Sequence, residues 1–208
     1  MRMGKLAKIV LSASLMMAVV SVDSIAARKV LGQKYYDYTS NTWKVWSGYG
    51  ANYRSDKSPI PKRTVRFKEK YSKGTIIIDT SERRLYYTLG NGRALKYGIG
   101  VGRQGFTWSG TNKVSRKAEW PSWSPPAVMI RREARKGRKL KSYYAGGPNN
   151  PLGARAMYIG STIYRIHGTN QPWTIGQAMS SGCIRMANDD VRDLYKRAGV
   201  GTRVIVRQ

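Results

Sequence analysis

The chain contains a single histidine, His167, and a single cysteine, Cys183, sixteen residues apart. A thiol with a nearby imidazole is the minimum equipment for nucleophilic acyl transfer, because the imidazole can take the thiol proton and later return it to a leaving group. Either residue alone says little: a lone Cys is commonly a small buried hydrophobe, and a lone His is commonly a hydrogen-bonded structural group. Their neighbours make the difference. His167 ends a strand-like run and is followed by Gly168-Thr169, while Cys183 sits in Ser180-Ser181-Gly182-Cys183-Ile184-Arg185. Small residues on both sides of the thiol admit a substrate backbone, and successive backbone N–H groups there can form an oxyanion hole. Arg185 places positive charge near the sulfur, which favours the thiolate. One His and one Cys cannot fill a tetrahedral zinc site without unusual carboxylate help. A glycosidase-type carboxylate pair is disfavoured because acids are scarce and most sit near Asn188, where helix capping accounts for them.

The elements that must hold these residues are mostly short strands. Gly74-Thr75-Ile76-Ile77-Ile78 is an apolar, β-branched run. Arg84 to Leu89 and Ala94 to Ile99 flank Gly90-Asn91-Gly92, and Asn-Gly between two such runs predicts a hairpin. Ala156-Met157-Tyr158-Ile159 and Thr162-Ile163-Tyr164-Arg165-Ile166 read as two more strands, and Val204-Ile205-Val206 as a closing one. Residues 106–128, rich in Trp, Ser and Pro, read as a structured loop, and the basic run Arg131 to Lys141 as a solvated loop. The stretch Gly98-Ile99-Gly100-Val101-Gly102-Arg103-Gln104-Gly105 superficially resembles a nucleotide-binding glycine loop. No helical pattern follows it, so the βαβ context is missing and strand glycines explain it better. One helix is well signalled after Asn188: an N-cap, Asp189 and Asp190 in the first turn, the stripe Val191, Leu194, Tyr195, Ala198, and Gly199 as the stop.

Charge and the N-terminus bound the setting. The 208 residues carry 38 Lys and Arg against 11 acids, a formal charge of +27, which attracts polyanions. Arg2, Lys5 and Lys8 precede an uncharged apolar run from Ile9 to Val22 and the small residues Ser24-Ile25-Ala26-Ala27. That layout predicts a secretory signal peptide over 1–26, and the apolar run is shorter than the ~20 residues a membrane span needs. Export argues against nucleic acid as partner and for envelope polyanions. The mature segment 27–63 lacks hydrophobic periodicity and reads as an extended arm or linker. In an oxidising compartment the unpaired Cys183 needs burial or a task.

The segment Ile166-His167-Gly168-Thr169 through Ser181-Gly182-Cys183-Ile184-Arg185-Met186 resembles the signature of the YkuD-type L,D-transpeptidases (the ErfK/YbiS-like group): a His-Gly pair, a spacer, then Ser-x-Gly-Cys followed by a hydrophobic residue and Arg or Asn. Trp120-Pro121-Ser122-Trp123-Ser124-Pro125-Pro126, Asn150-Pro151-Leu152-Gly153-Ala154-Arg155-Ala156 and the helix after Asn188 fit as well, so the resemblance covers residues 64–208. It implies a mainly β fold, a sandwich or barrel with a C-terminal helix and the Cys and His at one end of a groove. It implies Cys183 as nucleophile and His167 as acid–base partner, with Ser181, Gly182, Arg185, Gly168 and Thr169 around the oxyanion and substrate. No cofactor and no metal are implied. The substrate would be a peptidoglycan tetrapeptide stem in the periplasm, with the acyl acceptor open between another stem, an outer-membrane protein and water. The basic surface would add peripheral envelope contact. Many members carry a second His where this chain has Ser181. A catalytically weak wall-binding module would keep the groove and the charge without a reactive thiol.

Overall fold

The computed structural model describes residues 56–102, 108–137, 139–180 and 182–208, with the backbone of two short strands ahead of them. The expected signal peptide, most of the expected arm, and Ser181 lie outside the described residues. The two leading strands, β1 (Lys34–Asp37) and β2 (Thr42–Val45), pair as an antiparallel hairpin within the stretch expected to be an extended arm.

The described remainder is built on strands β3 (Arg63–Arg66), β4 (Ile76–Asp79), β5 (Arg84–Gly90), β6 (Arg93–Gly98), β7 (Val101–Gly102), β8 (Gly110–Glu119), β9 (Arg155–Ile159), β10 (Arg165–His167), β11 (Ala178–Ser180), β12 (Ile184–Arg185) and β13 (Arg203–Arg207). Nine of them form one mixed sheet in the order β12-β10-β9-β8-β13-β4-β5-β6-β3, and β11 pairs with β7 in parallel. The main sheet does not stay open. Just past β6, Gly100 exchanges both backbone hydrogen bonds with Arg185 of the edge strand β12, N to O at 2.9 and 2.8 Å. The two sides of the sheet therefore meet and enclose the core, which agrees with the expected mainly β, barrel-like architecture.

Burial follows from strand alternation. Ile76, Ile78, Leu85, Tyr97, Met157, Ile159, Ile166, Ile184, Val204 and Val206 share the main core, together with Val191 and Leu194 of the helix α2 (Asn188–Arg197). Ile77 points the other way, into a second cluster with Phe67, Tyr86 and Ala94. That two-sided burial is why the run Ile76–Ile78 is apolar without a break. The hairpin turn at Asn91-Gly92 has φ of 50° and 63°, the left-handed pair its dipeptide favours.

Two expectations fail. Residues 110–119 form the long strand β8 rather than a loop, because its backbone pairs on both sides although little of it beyond Val114 is buried. The basic stretch does not begin as a solvated loop. Helix α1 (Ala127–Ala134) takes in Arg131 and Arg132 and buries a single residue, Glu133, which pairs with Arg132 at 3.2 Å.

Residues 56–62, expected to belong to the arm, pack on the domain. Ile60 covers Gly98, where a Cβ would stand 2.6 Å from the Ile60 Cβ. Lys62 Nζ reaches Asp193 of α2 at 2.9 Å. Asp193 also accepts from Tyr97 Oη at 2.6 Å and Arg197 at 3.0 Å, so this one carboxylate joins the leading segment, the sheet and the helix. Burial alone would raise the Asp193 pKa, but the hydrogen bonds from Arg197, Tyr97 and Lys62 outweigh it and hold the carboxyl well below its ordinary value. A depressed folded-state pKa contributes stability above the unfolded value that is lost as pH falls. Asp193→Asn is therefore expected to destabilise the fold by about 1–3 kcal/mol at pH 7. In urea denaturation that deficit should shrink as pH falls through and below the ordinary aspartate range; a deficit independent of pH would assign the loss to packing.

Candidate active site

His167 and Cys183 are carried by neighbouring strands. β10 and β12 run parallel with Ile166 opposite Ile184 and His167 opposite Arg185. Both isoleucines enter the core, so Arg165, His167 and Arg185 share the opposite face. One step back along the ladder brings Cys183 level with Arg165, and a backbone hydrogen bond from Arg165 reaches the Cys183 thiol. Residues two steps apart on neighbouring strands have Cα atoms roughly 8 Å apart, a gap that a cysteine and a histidine side chain span together. Met186 N donates to His167 O at 2.8 Å and fixes the register beyond the pair.

The turn carrying Cys183 is held by Ser180. Its hydroxyl donates to Cys183 O at 2.6 Å and accepts from Gly182 N at 3.2 Å, with Ser180 itself buried. Gly182 has φ of 108°, in the left-handed region that only glycine enters without strain, so its place before the thiol is a backbone requirement. Sequence reasoning placed Ser180 near the thiol without a role; a hydroxyl three residues from a turn apex, between a strand and a left-handed glycine, is the signal that identifies it.

His167 is buried, and its Nδ1 lies 2.6 Å from Gly168 O. A carbonyl oxygen only accepts, so Nδ1 carries the proton and the Nε2 lone pair remains for proton transfer. Gly168 N donates to Arg155 O at 2.9 Å. Thr169 N donates to Asn188 Oδ1 at 3.3 Å, and Thr169 Oγ1 accepts from Gln171 N at 3.0 Å. The backbone of Gly168 and the N–H of Thr169 are thus engaged in holding the imidazole.

Asn188 departs from its expected part. Ala187 occupies the cap position of α2 with no side-chain cap hydrogen bond, and Asn188 is the first helical residue with its side chain turned inward. Its Oδ1 also accepts from Ala154 N at 2.9 Å. Gly153 and Gly168 close around that oxygen: a Cβ on either would stand 2.3 or 2.4 Å from it.

The electrostatics run against the simple expectation from Arg185. Burial pushes the Cys183 thiol up, and the charges of Arg165 and Arg185 with the Arg165 backbone hydrogen bond offset only part of that. Burial pushes His167 down, to about 3, with Arg185 and Arg165 adding to it and the carbonyls of Gly168 and Leu152 opposing. Arg185 does favour the thiolate, as expected, but desolvation is the larger effect. At neutral pH the resting pair is a neutral thiol beside a neutral imidazole. Alkylation of Cys183 by iodoacetamide should therefore keep rising with pH through and beyond the ordinary thiol range of about 8.5. A rate already level from about pH 6 would reveal a thiolate–imidazolium pair at rest.

Residues 73–206 match the family model YkuD, described as the L,D-transpeptidase catalytic domain. The probable L,D-transpeptidase YbiS of Escherichia coli (strain K12) is 40% identical over 134 residues, which are 62% of this chain and 43% of that protein. The match thus spans less than half the length of that relative. A solved L,D-transpeptidase from Mycobacterium smegmatis shares the fold at 18% identity and a TM-score of 0.51, over 65% of this chain and 59% of that one. A solved protein from Brucella melitensis, named a probable carnitine operon oxidoreductase, is 47% identical over 73% of this chain and 96% of that one, with a TM-score of 0.48. In this chain the described part of the glycine-rich stretch, Gly98 to Gly102, belongs to β6, the Gly100–Arg185 bridge and β7, where it closes the sheet; among the described residues the next element is strand β8, whereas a dinucleotide fingerprint opens a helix.

Proposed function

This chain belongs to the YkuD family of L,D-transpeptidase catalytic domains, and on that premise we propose that it is an exported cysteine L,D-transpeptidase acting on peptidoglycan tetrapeptide stems in the periplasm. The observation that carries the reading is the β10–β12 ladder, which sets Cys183 beside Arg165 and two steps from a His167 whose Nδ1 is committed to Gly168 O.

In the first half-reaction His167 Nε2 takes the thiol proton as the sulfur attacks the carbonyl of the third stem residue. The two charges develop together, since neither group is ionised at rest. The backbone N–H of Cys183 receives the oxyanion, while the Gly182 N–H stays on the Ser180 hydroxyl and holds the turn. The tetrahedral intermediate collapses to a thioester at Cys183, the C–N bond to the terminal D-alanine breaks, and the imidazolium returns its proton to that amine. In the second half-reaction an acceptor amine attacks the thioester with His167 as base, and Cys183 leaves as the thiol. An amine from a second stem gives a 3-3 cross-link, an amine from an envelope protein gives anchoring, and water gives stem trimming. The Arg165 and Arg185 charges beside the thiol suit a substrate carrying carboxylates. Helix α1 and the basic residues after it serve as a lid or wall contact. Deleting 131–141 is expected to weaken binding to isolated sacculi; unchanged binding and turnover would remove that assignment.

Incubation with a carbapenem should add one covalent equivalent to the native protein by intact mass and none to Cys183→Ala. His167→Gln should lower acylation by about 10²–10⁴-fold. Turnover of tetrapeptide-bearing muropeptides with and without an amine acceptor then separates cross-linking from trimming. A folded native protein that forms no adduct would move the reading to a wall-binding module.

A further inference from the structure

The peptide unit between Gly168 and Thr169 is clamped at both ends. Its carbonyl oxygen takes the His167 Nδ1 proton at 2.6 Å, and its N–H donates to Asn188 Oδ1 at 3.3 Å. The other end of the Asn188 carboxamide is also engaged: Nδ2 donates to Asp56 Oδ1 at 2.8 Å. Asp56 lies on the leading segment, ahead of residues 73–206 that match the family. Its remaining groups are used as well, with Arg192 Nη1 on Oδ2 at 2.9 Å and the Asp189 amide donating to its carbonyl at 3.0 Å. A line of hydrogen bonds therefore runs from an ionised carboxylate through a carboxamide and a peptide to the imidazole, every donor pointing toward the carboxylate end.

We propose that Asp56 is a positioning residue for His167, acting through Asn188 and the Gly168–Thr169 peptide; this rests on the Cys183–His167 reading above. A cysteine–histidine pair gains from a third group that orients the ring and favours its protonated form as it appears. Here the group in contact with the ring is only a neutral carbonyl. The carboxylate three links away is itself partly exposed, but the links from Asn188 through Thr169 to His167 are buried, where hydrogen bonds in series strengthen one another and polarise that carbonyl. Asn188 is buried, and the crowding of Gly153 and Gly168 against its Oδ1 leaves the carboxamide no room to turn away. Burial would raise the Asp56 pKa, but the hydrogen bonds from Asn188 and Arg192 and the Arg192 charge prevail and keep the carboxyl below its ordinary value, so the negative end of the line is present at neutral pH. The leading segment then supplies a group on which the chemistry of the domain depends.

The test uses the full chain and exploits His167 being its only histidine, so ring-labelled NMR reports that imidazole without overlap. The Cys183 alkylation rate is followed against pH alongside it. Asp56→Asn keeps the shape and removes the charge; it should slow alkylation at neutral pH about tenfold, the scale set by losing an outer partner of a reactive group. It should also move the His167 titration to lower pH. Asp56→Glu should recover most of the rate, and the exposed neighbour change Lys57→Ala should alter neither readout. A segment that merely tethers the chain would leave the titration of His167 where it is. An unchanged rate and pH profile in folded Asp56→Asn overturns the proposal. If that variant does not fold, amide exchange in the unaltered protein decides: a Thr169 amide protected to the level of the core supports the clamp, and one exchanging like Lys57 overturns it. None of these readouts uses peptidoglycan, so failure to turn over stem peptides would count against the transpeptidase reading alone.

Discussion

The exchange of two hydrogen bonds between Gly100 and Arg185 is the constraint on which the molecule turns. A strand of two residues at the edge of a sheet is a poor platform, since it has few ladder bonds and a free side. β12 escapes this because β10 holds one of its sides and Gly100 the other. The approach is close enough that a Cβ at position 100 would crowd Thr174 O at 3.3 Å. Closing the sheet and fixing the thiol are thus the same event. The core isoleucines Ile166 and Ile184 set the faces, the bridge removes the open edge, and the Ser180–Gly182 turn delivers the sulfur immediately before the bridged strand.

Closure also explains why the candidate pair is electrically quiet at rest. Enclosing His167 withdraws it from water, and desolvation penalises an imidazolium and a thiolate alike. Two arginines on the same face split the effect, easing ionisation of the thiol and opposing that of the ring. The pair therefore holds its proton on sulfur at rest. A half-buried thiol in that state is also less prone to adventitious oxidation than a thiolate.

What the sequence makes legible follows a physical division. The hairpin at Asn91-Gly92, the isoleucine run and the stripe of α2 announce themselves because local conformation and burial coincide there. The meeting of His167 and Cys183 is legible through a motif. β8 is hidden because its polar residues face water on one side, and α1 because its one buried residue is a glutamate. Asn188 is the instructive error. Asn before two aspartates is a sound capping signal, yet the side chain is worth more inside, where Ala154, Thr169 and Asp56 all need a partner. No local pattern reveals a partner 132 residues away.

The acids close the account of the charge. Eleven face 38 basic residues, and those whose side chains are described are committed to internal contacts. Asp56 takes Arg192, Glu69 and Asp79 take Arg207, Glu82 takes Lys96, Glu119 takes Arg155, and Asp193 joins three partners. Even Asp190, raised to about 6 chiefly by burial, belongs to the helix that Ser58 and Lys62 cover. Negative charge in this protein is used to tie the leading segment, the helix and the last strand together, and little of it remains to neutralise the surface. The chain keeps a formal surplus of +27. Such a charge gathers an anionic polymer over distances of about a Debye length and weakens with salt, whereas the hydrogen-bonded line ending at His167 is buried from Asn188 onward and screened less there. Attraction of a polyanion and chemistry at the candidate site are thereby separable properties, one carried by the lysines and arginines at large, the other by a few buried contacts.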